Sequence, residues 1–431
     1  MATVSQKSKK PKVKPPKSRP PATSSISQVA VEDAWSSTVL SAFSPDAEQF
    51  AFLTLAVDKH RLRVYNVKLN QAIAEHEVEQ ARVTSLTWLP FRLAENNAKL
   101  GDLSPSKKRK KTDSTAVNGG ASSNSTATKV QTVALGLSDG TVQIFSPVHR
   151  RIVRTLTPIG TKAPIVSITY GKEGDESHTA WTSSSDGILR LWDYQKGEEL
   201  YSHTESQEFY SALAVRPGVD EDQSQLLVAN KAIQLLSTLV ASSTSDDSDT
   251  ESVKELCSFS GHASAVKSLR WDPSRSPARR LFSSAEDDRF VYIWEVPEPP
   301  SSKGKMVAAC PLDSDVRHIE ITSTAGKQTL LALSTSGKII LSPVPLELTS
   351  TSGSKTSKQV PTLLPRSTIS LSSKKSTTDV RIVSATFDPT GDGRIHTALL
   401  SGGVRLAFDT VVRHSHFSNR RNFCNFVVEL P

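Results

Sequence analysis

Three segments of this 431-residue chain share one pattern, a polar turn whose aspartate is followed six positions later by an aromatic residue closing an apolar strand. The pairs are Asp139 and Phe145 in LSDGTVQIFS, Asp186 and Trp192 in SSDGILRLWD, and Asp288 and Trp294 in AEDDRFVYIW. In the first two, Gly follows the Asp, as a tight turn with positive φ prefers. The flanking residues alternate apolar and polar, the period of half-buried strands. A strand–turn–strand unit of this size cannot bury its apolar faces alone. Repetition at a fixed internal spacing therefore predicts stacked copies that bury a continuous core.

The fullest copy is GHASAVKSLRWDPSRSPARRLFSSAEDDRFVYIWEV, from Gly261 to Val296. Its Gly-His start, strand serine, turn Asp and Trp spell one WD repeat, a blade of a β-propeller. The expected hydrogen-bonded tetrad is His262, Ser284, Asp288 and Trp294. A buried Asp is costly unless its oxygens are bonded, so these four must be satisfied as a unit. His262 with Asp288 also has the form of an acid–base pair, but the structural reading outweighs the catalytic one.

Weaker copies fill the remaining length. They are VLSAFSPDAEQFAFLTLAVDKHRLRVYNV, VTSLTWLP resuming at VQTVALGLSDGTVQIFS, IVSITYGKEGDESHTAWTSSSDGILRLWDY, YSALAVRPGVDEDQSQLLVANKAIQLLS, VRHIEITSTAGKQTLLALSTSGKIILSPV and VRIVSATFDPTGDGRIHTALLSGGVRLAF. Asn230, Ser336-Gly337 and Gly402-Gly403 stand where Asp or Asp-Gly would be. Seven blades of about 40 to 45 residues need about 300 residues, so seven fit with room for inserts. The expected fold is all-β: a seven-bladed WD40 β-propeller over 29–412, with the segment Val29 to Thr38 as the candidate closing strand. A disordered basic tail, 1–28, precedes it. Inserts are placed at about 96–128, 241–253 and 348–378, and a C-terminal extension at 413–431.

The net charge of +8 is unevenly placed. Lys7, Lys9, Lys10, Lys12, Lys14, Lys17 and Arg19 lie in the tail, and Lys107, Lys108, Arg109, Lys110 and Lys111 in the first insert. These cations outnumber the net charge, so the remaining chain is net acidic and the propeller body is not expected to be a basic nucleic-acid surface. The tail is too poor in large apolar groups to fold alone. The Lys107–Lys111 tract reads as a nuclear-import or RNA-phosphate contact, with Lys7, Lys9, Lys10, Lys12 and Lys14 as further candidates. The insert SSTSDDSDTES is acidic and serine-rich, and reads equally as a kinase-acceptor region or a solvated linker. The third insert carries an apolar island, QVPTLLPRSTISL, suited either to docking a partner or to covering a blade edge.

Chemistry is sparse. There is no Walker-type phosphate loop, no G-x-G-x-x-G, no G-x-S-x-G and no H-E-x-x-H. Cys257, Cys310 and Cys424 are scattered, which argues against a disulfide framework or a zinc site. His414 and His416 are close, but two ligands without a third make a poor metal site and read as surface residues. No apolar run approaches the length of a membrane-spanning helix, and the basic N-terminus lacks the apolar core of a secretory signal. The expectation is a non-enzymatic protein with no cofactor, no metal, no small-molecule substrate and no membrane partner.

Three segments together resemble one family: FAFLTLAVDKHRLRVYNV, QLLVANKAIQLLS, and FSGHASAVKSL with LFSSAEDDRFVYIWEV. It is the WD repeat-containing protein 43 family, subunit five of the UTP-A subcomplex. The match includes the turn SAEDDRF, where most blades have S-x-D-G, and covers about Ser36 to Phe408. The resemblance implies a scaffold of the small-subunit processome in the nucleus and nucleolus. Its implied role is in pre-rRNA transcription and processing and in 18S rRNA maturation. The implied partners are other UTP-A WD-repeat and helical subunits, the 5′ external transcribed spacer of pre-rRNA, and the U3 small nucleolar ribonucleoprotein. The family also has a C-terminal helical domain. RHSHFSNRRNFCNFVVELP shows no long amphipathic helix, so that domain is expected to be absent from this chain.

A nuclear WD-repeat adaptor, either a ubiquitin-ligase substrate receptor or a chromatin reader, is the competing reading. A receptor for a cullin adaptor would carry W-D-x-R at blade ends. Here Gln195 and Pro297 occupy the arginine position, which counts against it.

Overall fold

The computed structural model describes residues 40–56, 59–79, 81–93, 128–171, 178–204, 209–219, 224–238, 253–298, 303–324, 326–346, 360–365, 367–369, 380–401, 405–411 and 428–429. All belong to one compact unit, Val39–Pro431. The basic tail 1–28, the expected closing segment Val29 to Thr38, the Lys107–Lys111 tract and His414 with His416 lie outside the described residues.

Blade one is β1 (Ser41–Phe43), β2 (Gln49–Ala56), β3 (Lys59–Asn66) and β4 (Gln71–Val78). Blade two is β5 (Val83–Leu93), β6 (Thr128–Leu137), β7 (Val142–Ser146) and β8 (Arg151–Leu156). Blade three is β9 (Ile165–Tyr170), β10 (Thr179–Ser184), β11 (Leu189–Asp193) and β12 (Glu198–His203). Blade four is β13 (Ala212–Val215), β14 (Ser224–Ala229), β15 (Ile233–Thr238) and β16 (Lys254–Phe259). Blade five is β17 (Val266–Trp271), β18 (Arg280–Ala285), β19 (Phe290–Glu295) and β20 (Lys305–Pro311). Blade six is β21 (Val316–Thr324), β22 (Lys327–Ser334), β23 (Ile339–Val344) and β24 (Ser367–Ile369). Blade seven is β25 (Val380–Phe387), β26 (Ile395–Ser401), β27 (Arg405–Val411) and β28 (Val428–Glu429).

Each blade is an antiparallel meander of four consecutive strands, so the molecule is the expected seven-bladed β-propeller. The first strand of each blade lies innermost and touches the first strand of the next, with β25 returning to β1. An apolar cluster fills every seam between neighbouring blades. The seam that closes the ring joins Phe50, Phe52 and Tyr65 of blade one to Val383, Leu406 and Phe408 of blade seven. Phe50 meets Phe408 edge to face at 5.3 Å, a favoured aromatic geometry. Among the described residues, side-chain packing joins the two ends of the ring, and no sheet mixes strands from both ends of the propeller.

Two boundaries read from the sequence change. The extension 413–431 holds β28, which pairs with β27 and completes blade seven. The insert 348–378 is not one continuous loop. Within its apolar island, the carbonyl of Pro361 accepts from Ala309 N–H at 3.0 Å and Leu363 N–H donates to the Ala309 carbonyl at 2.8 Å. β24 then pairs with β23. The island therefore covers the outer edge of blade five and supplies the outer strand of blade six. An unpaired edge invites foreign strands, and this contact blunts one. Blade one manages its own edge with charge: β4 carries Glu75 and Glu77, which pair with Arg61 and Arg63 of β3.

Antiparallel connection sorts the loops onto two faces. Turns between second and third strands, and loops from one blade to the next, lie on one face, called here the turn face. Connections between first and second strands, and between third and fourth, lie on the other, the insert face. Leu93 and Thr128, the attachment points of the Lys107–Lys111 insert, end β5 and begin β6 on the insert face.

Candidate functional site

The sequence points to the turn face of blade five. β18 pairs with β19 so that Leu281 opposes Trp294 and Ser283 opposes Tyr292. Successive strand residues point to opposite faces. Leu281 and Trp294 belong to the seam with blade four, whereas Phe282 belongs to the seam with blade six. Ser283 therefore shares the side of Trp294, and Ser284 does not.

The network follows from that parity. Trp294 Nε1–H donates to Ser283 Oγ at 2.7 Å, and Ser283 Oγ lies 2.7 Å from His262 Nε2. His262 Nδ1 lies 3.1 Å from Asp288 Oδ2. The expected tetrad thus forms with one correction: its hydroxyl is that of Ser283. Ser284 Oγ is buried with no hydrogen-bond partner. Burial lowers the His262 pKa against the opposing pull of Asp288, which favours the neutral ring. A neutral imidazole fixes the direction of the chain of bonds: the indole donates to Ser283, Ser283 donates to Nε2, and Nδ1–H donates to Asp288. Both ring nitrogens are committed. The arrangement ties the loop entering blade five to its own hairpin turn, and presents no free nitrogen to a substrate.

The other two sequence pairs occupy the same turn without the same network. In blade three, Trp192 Nε1–H donates to Thr182 Oγ1 at 2.9 Å, the equivalent of the Ser283 bond. Asp186 accepts from Ser184 Oγ at 2.5 Å and from Thr161 Oγ1 at 3.2 Å, so a threonine from the entering loop does the work of the histidine. Beside it Arg190, 2% exposed, donates to Ser184 Oγ and the Thr161 carbonyl. In blade two, Asp139 is exposed and accepts only from its own turn, at Thr141 N and Oγ1. Phe145 is fully buried, has no N–H to give, and stacks against His76 at 5.2 Å. The spacing marks a common turn, and only blade five of these three carries the full relay.

The turn geometry is also particular to blade five. Gly140 and Gly187 take the left-handed position after their aspartates, each at φ 84°. In blade five Asp287 takes it at φ 55°, one residue before Asp288. By strand register this hairpin is one residue longer than that of blade three.

A second set of residues, not singled out from the sequence, locks the blades together. Trp88 Nε1–H donates to the Ala42 carbonyl of the preceding blade at 3.0 Å, and Trp271 does the same to Ala214 at 3.4 Å. Both lie in innermost strands reading V-x-S-L-x-W-x-P, at Val83–Pro90 and Val266–Pro273. That internal repeat was the available signal. Trp271 also packs against buried Arg216, whose guanidinium is 5.5 Å from the ring centre and donates to the Ala278 carbonyl at 2.6 Å.

Among the described residues, no group of three His, Cys, Asp or Glu is placed to hold a metal ion. No helix among them is long and apolar enough to cross a membrane. Burial pushes the Cys257 thiol up to about 11 and raises that of Cys310, so neither favours the reactive thiolate at neutral pH.

No protein-family model and no curated protein matches this sequence. Solved structures do match in shape. A chain in the crystal structure of the mitotic checkpoint complex is 14% identical, with a TM-score of 0.51, covering 96% of this chain and 99% of that one. A chain of the computationally designed Ika8 protein is 15% identical, with a TM-score of 0.46, covering 86% of this chain and 82% of that one. At these identities the first likeness speaks for the fold alone: a seven-bladed, WD40-like β-propeller.

Proposed function

We propose that this chain is a non-enzymatic WD-repeat scaffold of the small-subunit processome, acting in nucleolar pre-rRNA transcription and processing alongside the U3 ribonucleoprotein. The observation that carries the reading is the blade-five turn. Its sequence, SAEDDRF, is the most distinctive part of the family resemblance, and the extra residue with Asp287 in the left-handed region gives that sequence a physical consequence. The committed His262 nitrogens and the raised thiol pKa values favour a holding role over a chemical one. Partners in this reading are UTP-A subunits and the 5′ external transcribed spacer.

Purification of the tagged protein from nuclear extract, followed by sequencing of bound RNA, tests it. Recovery of the spacer and U3 RNA is the expected result. Recovery of a cullin adaptor, or of no RNA, overturns it in favour of the adaptor reading. The Lys107–Lys111 tract has its own test. Replacing all five with Ser is expected to move the protein out of the nucleus or weaken RNA recovery, with an unchanged melting temperature. A fall in melting temperature would show instead that the insert stabilises the fold.

A further inference from the structure

The sequence places positive charge on the tail and the first insert, but the structure gathers a separate cluster on the insert face, between blades two and three. At the end of the β5–β6 pair, Arg92 and Lys129 are direct cross-strand partners. Like charges opposite one another destabilise a sheet unless something offsets them. The Gln195-Lys196-Gly197 turn of blade three lies against this end. The Gln195 side chain bonds both the N–H and the carbonyl of Arg92, the former at 3.1 Å. On the other side of the turn, the Arg154 side chain from β8 packs so closely on Gly197 that a Cβ there would meet its Cδ at 2.9 Å. Lys196 stands between, its side chain 67% exposed. Arg154 and Lys129 are exposed and Arg92 is half-buried.

The floor beneath is rigid. Tyr194 Oη–H donates to the Pro90 carbonyl at 2.6 Å, and the Tyr194 ring packs near Phe91, Tyr170 and His178. Asp193 caps the turn, accepting from the N–H groups of Gln195 and Lys196, and approaches the Lys196 ammonium at 3.3 Å. Glu198 opens β12 beside it. Among the described residues, the carboxylates of Asp193 and Glu198 thus lie in the same corner as four cations. Burial lowers the His178 pKa first; Arg92 lowers it further, Asp193 opposes, and Lys129 and Lys196 add smaller lowering, which places all four charges within reach of this imidazole.

We infer that this cluster, Arg92, Lys129, Arg154 and Lys196, is a binding surface for the phosphodiester backbone of a single-stranded nucleic acid. Exposed guanidinium and ammonium groups on a fixed floor match closely spaced phosphates, with Arg supplying paired donors. Neighbouring sheets pack about 10 Å apart, which favours one strand along a seam over a duplex across it. The inference stands on the geometry of the cluster and does not depend on which RNA the protein meets in the cell.

The test uses the full chain with Lys107–Lys111→Ser, so that the tract does not contribute. Anisotropy of labelled single-stranded RNA and DNA 15-mers is followed against salt concentration. Four phosphate contacts on a single strand predict that about 3 units of the log–log salt slope are lost when all four cations become Gln. The milder Lys129→Gln/Lys196→Gln pair, both exposed, should lose about half of that slope and weaken binding by about 25-fold at 0.1 M salt, with an unchanged melting temperature. Similar losses for RNA and DNA assign the phosphodiester alone, and a larger loss for RNA adds the 2′-hydroxyl; both uphold the inference. An unchanged slope in the pair and the quadruple variant overturns it. So does displacement of the strand by polyglutamate at equal charge, which would mark an acidic-protein surface. Failure here leaves recovery of spacer RNA from extract untouched, since partner subunits can carry that RNA. Failure of the extract experiment likewise leaves the salt slope untouched.

Discussion

Trp294→Ala is expected to lower the unfolding free energy by about 3–5 kcal/mol, the range for truncating a buried aromatic. The ring is 2% exposed and meets Phe259 of blade four edge to face at 5.8 Å, so its loss opens the seam between blades four and five. It also removes the N–H that anchors Ser283. Neighbouring serines make the test specific. Ser283→Ala leaves the buried indole N–H and His262 Nε2 without a partner, at a cost of about 1–3 kcal/mol. Ser284→Ala deletes a hydroxyl that has no hydrogen bond in the structure, and should change stability by less than about 0.5 kcal/mol. Urea denaturation of the three variants checks all of this at once. Equal losses at Ser283 and Ser284, or a loss at Ser284 alone, would refute the strand parity from which the relay was built.

That parity shows where sequence reading runs out. The six-residue interval from Asp to aromatic locates the hairpin turns because the turn and the strand after it are local. Which of two adjacent serines faces the tryptophan depends on the pairing across the turn, and the extra residue around Asp287 shifts that count by one. Phe145 has the right spacing but no N–H, so its blade keeps the shape and loses the bond. The ends of the ring were harder still. β28 is two residues long, and nothing in RHSHFSNRRNFCNFVVELP marks Val428–Glu429 as an outer strand. The apolar island at Val360–Leu364 was visible, but only the contact with Ala309 decides that it covers a blade edge. The seam-locking Trp88 and Trp271 were legible in principle, since their V-x-S-L-x-W-x-P segments repeat. The cluster at Arg92, Lys129, Arg154 and Lys196 was not, because these residues come from four strands and turns that only the fold brings together.

Acid should weaken the propeller through its buried histidines. Burial, then Arg270, then Arg317, hold the His318 pKa at about 3, against an ordinary value of 6.5. Between those values the unfolded chain binds a proton that the folded chain refuses, so stability is complete above about pH 6.5 and falls as the pH drops toward 3. His60, His76, His178 and His262 are lowered as well, burial being the first cause in each, and act in the same direction. Glu320, on the same strand, has its pKa raised by burial although Thr386 Oγ1 donates to it at 3.0 Å. It works in the opposite sense, since its folded carboxyl takes up a proton more readily than the unfolded one. Comparison with His318→Asn separates the histidine from this opposing carboxyl. His318 is half-buried, so solvent screening reduces its share to about 1 kcal/mol by pH 5.5. The urea midpoint is expected to be lower at pH 5.5 than at pH 7.5, and the difference should shrink in His318→Asn. An unchanged difference in that variant would mean that protonating an imidazole between two guanidinium groups costs nothing, and would remove His318 from the account of acid sensitivity.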